Sequence, residues 1–160
     1  GVQDIETEKF SINLPELTRH FILCYTGKPR NSGINNWEIT KKAVDGNRAV
    51  IRNLKSIRDC AIEMEQALSR GQIESIARVF AREWQARKKL APNISTPQMD
   101  QLICSAMRKG AMAGKVCGAG GGGCIAFIVP PAKKKSIIEE LTSNGGKVLP
   151  FHFVSRGLRH

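Results

Sequence analysis

The sequence lacks the features that mark several large classes of protein. No apolar run approaches the roughly 20 residues that a membrane-spanning helix needs, and the polar start GVQDIETEKF lacks the apolar core of a signal peptide. Aromatic residues are few, at two Trp, one Tyr and six Phe, and no motif of a DNA- or RNA-binding fold is present. We therefore expect a cytoplasmic protein with no membrane partner and no specific nucleic-acid partner.

The cysteines show none of the spacings of a metal site or a redox motif. They are Cys24, Cys60, Cys104, Cys117 and Cys124; no two form a C-x-x-C pair, and no His lies near them at ligand spacing. Their odd number and apolar neighbours predict reduced thiols, most of them buried as small hydrophobic side chains. The sequence therefore predicts no metal site in this chain.

The composition is sufficient for a compact domain with a core. The chain has 160 residues, of which 41% are hydrophobic, so we expect one domain over residues 1–160. Its formal net charge of +11 suits an anionic partner, such as a phosphorylated metabolite or a nucleic acid. The densest basic run, ARVFAREWQARKKL, has helical periodicity and could equally be a solvated helix face. A basic nucleic-acid-binding module stays open as an alternative, whereas weak, salt-sensitive binding to DNA without sequence preference is expected of any surface with this charge.

Periodicity predicts an α+β domain, with a small, mostly antiparallel sheet covered by helices. The short apolar runs FILCY (21–25) and CIAFIV (124–129) are typical of buried strands. A last strand is expected over 147–155 and a first one over 8–14. Because Pro150 has no N–H, the last strand should lie at an edge or contain a bulge.

Helical patterns fill the centre of the chain. A short helix over 37–44 is separated by Gly46 from a long helix that ends at Gly71, and the next helix begins near Gln72 and stops before Pro92. Thr96 and Pro97 are typical of an N-cap and a first helical residue, and a last amphipathic helix follows Pro131. The expected inner faces are Val50, Leu54, Ile57, Ala61, Met64 and Leu68; Ile73, Ile76, Phe80 and Trp84; Met99, Leu102, Ile103, Ala106 and Met107; and Ile137, Ile138 and Leu141.

Five of the six residues 118–123 are glycine, within KVCGAGGGGCIAFIV. A P-loop or a dinucleotide fingerprint would lead into a helix, whereas here Cys124 opens a strand, so the order helix, glycines, strand excludes both. Apolar flanks exclude a flexible linker. What remains is a tight connection where backbone closely approaches another loop or a ligand's phosphates, which requires positive φ and no side chain. A purely structural role for the glycines is the alternative.

KVCGAGGGGCIAFIV resembles the third conserved motif of the GHMP kinases, the family of galactokinase, homoserine kinase, mevalonate kinase and phosphomevalonate kinase. The resemblance extends over the whole chain, since FILCYTGKPRNSGINNWEI, EWQARKKLAPNISTPQMDQLI and FHFVSRGLR look like the subgroup that phosphorylates heptose 7-phosphate. It implies the ferredoxin-like C-terminal domain of a sugar kinase. It also implies that a loop of Gly118, Gly120, Gly121, Gly122 and Gly123 packs against the phosphate-binding loop of an N-terminal domain. The intact enzyme would transfer the γ-phosphate of ATP, with Mg²⁺, to a hydroxyl of a small anionic sugar.

The family's N-terminal motifs, a glycine-serine phosphate loop and a catalytic Asp, have no counterpart in this sequence. GVQD resembles the string that carries the catalytic Asp in sugar kinases, but there a helix follows, whereas IETEKFSINLP after Asp4 is typical of a strand and a turn. We therefore expect no catalytic residue here, no tightly bound ATP or Mg²⁺, and no kinase activity of the chain alone. The main expected partner is a missing N-terminal half. A non-catalytic remnant of a kinase fold is the alternative, and a homo-oligomer is left open.

The resemblance and the chemistry of the side chains together indicate a substrate-binding set. The segment GKPRNSGINN follows a predicted strand and offers cations and hydrogen-bonding groups for a phosphorylated sugar. Arg87, three residues after Trp84, could hold a substrate phosphate. The alternatives are turn chemistry for the loop and an exposed helix cation for Arg87. The candidates are Lys28, Arg30, Ser32, Asn35, Asn36 and Arg87.

Overall fold

The computed structural model describes residues 11–29 and 33–155, with the backbone alone for 33–35. Within these ranges, six α-helices and four strands are joined by short connections. They are α1 (Leu14–Arg19), β1 (Phe21–Tyr25), α2 (Gly33–Val44), α3 (Arg48–Ser69), α4 (Ile73–Lys88), α5 (Pro97–Arg108), β2 (Ala113–Val116), β3 (Cys124–Ile128), α6 (Lys134–Ser143) and β4 (Lys147–Leu149). None of these helices is both long and apolar enough to span a membrane.

The four strands form one sheet in the order β2-β3-β1-β4, and each neighbouring pair is antiparallel. Leu23 in the middle of β1 lies opposite Ala126 on one side and Leu149 on the other. The predicted α+β class with a small antiparallel sheet is therefore confirmed. β4 is an edge strand, as Pro150 indicated, but it ends at Leu149 rather than at 155 because Pro150 cannot donate to the ladder.

The main core lies between the sheet and helices α5 and α6. Ile22 and Cys24 alternate along β1 with half-buried neighbours, and their side chains join a cluster that includes Leu102 of α5 and Leu141 of α6. Complete burial of an aliphatic side chain of this size contributes about 1.5–3 kcal/mol to stability. The predicted inner faces of α5 and α6 are confirmed except at Met107, which is largely exposed.

A second cluster covers other parts of the sheet with α1, α3 and α4. Phe21 of β1 makes edge-to-face contacts with Phe80 of α4 and with Phe153, at ring-centroid distances of 6.1 and 5.3 Å. Such aromatic pairs add about 0.5–1.5 kcal/mol beyond the burial of their area. Phe153, after the last strand, thereby fastens the end of the described chain to the sheet.

The long helix α3 buries a face that differs in part from the predicted one. Val50, Cys60 and Ala67 are buried, whereas Leu54 and Ala61 are exposed. Together with the half-buried Asn53, Ile57 and Met64, these positions follow alternating three- and four-residue steps, which is typical of two helices packed side by side. α3 packs along α4 in this way, so only a narrow stripe of α3 is covered and the wider predicted face is wrong at these two residues.

Three other elements differ from the sequence-based predictions. The prediction of a first strand over 8–14 is wrong at its end, because helix α1 begins at Leu14. The N-cap of this helix is Asn13, which accepts a hydrogen bond from the N–H of Glu16. The other end of the predicted strand, residues 8–10, lies outside the described part. Helix α2 begins at Gly33, four residues before the prediction. Strand β2 was not predicted, because AGKV is short and contains a glycine, which has low strand propensity.

Candidate functional site at the glycine loop

The glycine loop, residues 118–123, joins β2 to β3. The hairpin is closed by Cys117, whose N–H donates to the carbonyl oxygen of Cys124 at 2.8 Å. The predicted order helix, glycines, strand is therefore wrong, since a strand precedes the loop as well as following it. The exclusion of a P-loop and a dinucleotide fingerprint still holds, because both need a helix after the glycines.

All five glycines of the loop have positive φ. The values are 74° at Gly118, 85° at Gly120, 76° at Gly121, 154° at Gly122 and 86° at Gly123. Gly120 also faces close backbone, since a Cβ added there would lie 2.4 Å from the carbonyl oxygen of Ile94 and 2.9 Å from its Cα. A glycine is therefore required at position 120 both by the backbone conformation and by the lack of space for a side chain. At this position the glycine has the structural role that the sequence analysis gave as the alternative.

The segment before α5 supports one side of the loop. The carbonyl oxygen of Ile94 accepts a hydrogen bond from the N–H of Gly121 at 3.0 Å. Ile94 is buried in the main core, and the preceding Asn93 has φ 67°, which turns the chain towards the loop. Thr96 caps α5 by accepting from the N–H of Met99. The predicted cap at Thr96 is confirmed, and it fixes the position from which the glycine loop is held.

The segment after β1 supports the other side. The carbonyl oxygen of Gly123 accepts from both the N–H and the hydroxyl of Thr26, each at 2.9 Å, and the N–H of Gly123 donates to the carbonyl oxygen of Lys28 at 2.9 Å. The side chain of Lys28 is exposed. The structure thus brings together two regions that are 95 residues apart in sequence, the glycine loop and the start of the predicted substrate segment.

Several N–H groups of the loop have no partner within the described part of the chain. Hydrogen bonds from backbone N–H groups are formed by Gly121 and Gly123, but none there from Gly118, Ala119, Gly120 or Gly122. Successive N–H groups left free in a left-handed turn form a concave anion site. Gly118 is exposed and Ala119 is half-buried, whereas Gly120 and Gly122 are buried. The first part of the loop therefore offers backbone donors to an anionic group without using a charged side chain.

The remaining residues of the predicted substrate segment are only partly described. Asn36 lies on α2 with an exposed side chain, and Asn35 lies on the same helix; Arg30 and Ser32 lie outside the described residues. The sequence analysis did not single out Trp37, next to Asn36, whose side chain is 71% exposed. The sequence gave no signal of this exposure, because the periodicity of α2 alone is compatible with a buried Trp.

Arg87 lies in an ion cluster that the sequence analysis missed. Its guanidinium binds Glu83, one turn earlier on α4, and the distance from Arg87 Nε to Glu83 Oε1 is 2.6 Å. The other carboxylate oxygen of Glu83 lies 2.5 Å from Nζ of Lys115, on β2. Glu83 is only 7% exposed. A buried carboxylate needs such compensation, so the cluster ties α4 to the strand that leads into the glycine loop. Binding of a substrate phosphate by Arg87 stays a prediction.

We expect Glu83→Gln to destabilise the chain by about 2 kcal/mol, because it leaves two largely buried cations without their counter-charge. The melting temperature should fall by roughly 4–8 °C for a chain of this size. The control is Glu63→Gln, because Glu63 pairs with Arg82 between α3 and α4 but both side chains are about half exposed. This variant should lower the melting temperature by at most ~2 °C. Equal losses for the two variants, measured by calorimetry, would contradict a special role of the buried cluster.

The cysteines beside the loop are free thiols. Burial, with a smaller contribution from Cys124, raises the pKa of Cys24 to about 11 and also raises the pKa of Cys117. Both thiols therefore stay protonated at neutral pH, and neither has the lowered pKa of a reactive nucleophile. Of the five cysteines, Cys24 and Cys60 are buried, Cys117 and Cys124 are half-buried and Cys104 is exposed, so the prediction that most of them are buried is wrong. Across residues 11–29 and 33–155, no cluster of three or more His, Cys, Asp or Glu side chains could hold a metal ion.

Comparison with known proteins agrees with this arrangement. The profile described as "GHMP kinases C terminal" matches residues 64–147, just over half of the chain, and this range contains the whole glycine loop. The chain belongs to the GHMP kinase family. The resemblance of KVCGAGGGGCIAFIV to a GHMP motif is thereby confirmed, and so is the expected C-terminal fold.

Relatives of this GHMP kinase chain include enzymes that act on heptose phosphates. It is 29% identical over 144 residues to the D-glycero-alpha-D-manno-heptose 7-phosphate kinase of Campylobacter jejuni, covering 90% of this chain and 42% of the relative. A D-glycero-D-manno-heptose 1-phosphate kinase from Bacteroides thetaiotaomicron superposes with a TM-score of 0.55 at 28% identity, covering 88% of this chain and 34% of that one.

The fold is shared more widely within the family. The phosphomevalonate kinase of Streptococcus pneumoniae, in complex with phosphomevalonate and AMPPNP, superposes with a TM-score of 0.70 at 23% identity over 83% of this chain and 39% of that one. This GHMP kinase chain therefore spans about two fifths or less of the length of each of these three proteins.

Proposed function

We propose that this chain is the C-terminal domain, over residues 1–160, of a kinase that transfers the γ-phosphate of ATP to a hydroxyl of a phosphorylated sugar, with heptose 7-phosphate as the substrate. The observation that carries the proposal is the glycine loop, which lies within the range matched by the GHMP profile and is held directly against the segment after β1. The similarity over 90% of the chain to a heptose 7-phosphate kinase supports the choice of substrate. The domain would work in the cytoplasm, joined to an N-terminal ATP-binding half.

The chemistry of the described residues fits a contribution to positioning rather than to proton transfer. Phosphoryl transfer depends mainly on the placement of the phosphates and on neutralisation of their charge. The free N–H groups of the glycine loop can contact a phosphate-binding loop or phosphate oxygens, and Lys28 can neutralise charge on a sugar phosphate. Arg30, Ser32, Asn35 and Asn36 would complete the substrate set, as Arg87 would if it released Glu83.

GHMP kinases use ATP and typically Mg²⁺. The N–H groups of the glycine loop suit nucleotide phosphates, but the described residues offer no carboxylate cluster for the metal. In the proposed enzyme Mg²⁺ would therefore be held by the nucleotide and by residues of the other half, where it would neutralise phosphate charge. This chain's own part would be to hold the loop and bind the sugar.

The test uses two proteins: this chain, and the protein encoded by the uninterrupted reading frame that contains it. With ATP and Mg²⁺, the second should release ADP in a saturable reaction with heptose 7-phosphate, with kcat/KM at least ~100-fold above that for mevalonate. The chain alone should release none above background. A preference for mevalonate would overturn the substrate proposal, and sugar-dependent turnover by the chain alone would overturn the need for a second half.

A matched pair of lysine variants tests the substrate segment in the same assay. Lys28→Ala should raise KM for the phosphorylated sugar about tenfold with little change in kcat, because it removes binding that ground state and transition state share. Lys55→Ala removes another exposed lysine, on α3, and should leave KM unchanged. Identical KM values for the two variants would remove Lys28 from the site.

A further inference from the structure

A series of hydrogen bonds links α5 to the glycine loop through a buried threonine. The side-chain amide of Gln98, in the first turn of α5, donates to the carbonyl oxygen of Thr26 at 2.8 Å. Thr26 in turn donates twice to the carbonyl oxygen of Gly123. Thr26 is 2% exposed and is one of three buried polar residues in the described part, together with Glu83 and Ser105.

The same stretch of chain holds the loop at a second point. Ile94, four residues before Gln98, accepts from the N–H of Gly121. The segment from Ile94 to Gln98 therefore hydrogen-bonds to the glycine loop directly at Gly121, and it is linked to Gly123 indirectly, through Thr26. Between these two points lies Gly122, whose N–H has no partner among the described residues. Gly122 itself is buried, and its backbone conformation depends on the hydrogen bonds that hold its two neighbours.

We propose that Gln98 and Thr26 are positioning residues that set the orientation of the free N–H groups of the glycine loop. Neither side chain need touch a ligand. Gln98 orients the Thr26 peptide, and the N–H and hydroxyl of Thr26 hold the carbonyl of Gly123. A loop made of glycines has little conformational preference of its own, so its pose depends on these outside contacts. The consequence for phosphoryl transfer rests on the proposed function, whereas the consequence for the loop does not.

Amide hydrogen exchange in this chain, followed residue by residue by NMR, tests the effect on the loop. Thr26→Val keeps the shape but removes the hydroxyl, and Gln98→Glu keeps the shape but replaces the donor with a carboxylate oxygen facing the Thr26 carbonyl. Each should speed exchange of the Gly121 and Gly123 amides at least ~10-fold. Amides of Val116 and Ile125, which lie opposite each other in the adjoining strands, should change less than threefold.

Two variants serve as controls. Thr26→Ser retains the hydroxyl and should keep exchange near the wild-type rate. Gln101→Ala removes the next glutamine on α5, which donates instead to Asn144 on the surface, and should also leave the glycine amides unchanged. Gln98→Ala covers the case in which a buried substitution at Thr26 prevents folding. Unchanged exchange of both glycine amides in Gln98→Ala and Gln98→Glu would overturn the proposal.

The kinetic arm uses the proposed complete kinase. Gln98→Glu and Thr26→Val should lower kcat about tenfold with less than a threefold change in KM for the sugar, and Thr26→Ser should restore kcat. Faster exchange with normal kcat would overturn the positioning role. If the wild-type protein has no kinase activity, the proposed function fails, and the exchange measurements still decide whether Gln98 and Thr26 hold the loop.

Discussion

Gly120→Ala should lower the melting temperature of this chain by roughly 4–20 °C. The new Cβ would lie 2.4 Å from the Ile94 carbonyl oxygen, and that oxygen belongs to backbone held in the core, so it cannot rotate away as a side chain would. Overpacking of this kind costs about 1–3 kcal/mol, and a Cβ at positive φ adds about 1–2 kcal/mol. Together these costs are about 2–5 kcal/mol, and a chain of this length loses about 2–4 °C of melting temperature per kcal/mol.

The control separates the conformational cost from the steric one. Gly71 has φ 63°, and a Cβ there would have no heavy atom within 4 Å. Gly71→Ala should therefore show the conformational cost alone, about 2–8 °C. Equal losses at Gly71 and Gly120, measured in the same calorimetric series, would show that the contact with Ile94 relaxes freely and that the loop is less tightly held than the structure indicates.

Gly121→Ala should act mainly on catalysis. In the proposed complete kinase we expect kcat/KM to fall at least ~30-fold, equivalent to about 2 kcal/mol of transition-state stabilisation. Gly121 is partly exposed between Gly120 and Gly122, so a methyl group there would obstruct the approach of a phosphate-binding loop. Its φ of 76° adds a conformational cost to folding similar to that at Gly71, and the melting temperature should fall by only a few degrees.

Both quantities must be measured on the same variant of Gly121. Near-normal kinetics with a large loss of melting temperature would show that this glycine serves folding, and the assignment of the loop to the site would then be wrong at this position. The pair Gly120 and Gly121 thus divides one glycine run by role. Gly120 is required by the core beneath the loop, and we expect Gly121 to serve the contact with a phosphate-binding loop.

Secondary structure was predictable where the local signal was strong. Phe21–Tyr25 and Cys124–Ile128 are continuous apolar runs, and Thr96-Pro97 is a cap followed by a first-turn proline, so these elements were predicted correctly. Prediction failed where partners outside the segment decide. The four residues of β2 become a strand because β3 pairs with them, and the face of α3 is set by its packing along α4.

The sequence by itself determined the family, the α+β class and the importance of the glycine run, because each depends on residues that are adjacent or regularly spaced. Only the tertiary structure decided which groups surround the loop. Thr26 and Ile94 hydrogen-bond to it from two distant segments, and Gln98 links these segments by donating to Thr26. Glu83 likewise pairs with Lys115 between a helix and a strand. Hydrogen bonds and ion pairs between such segments leave no periodic trace in the sequence, because each depends on a distance that exists only after the core has formed.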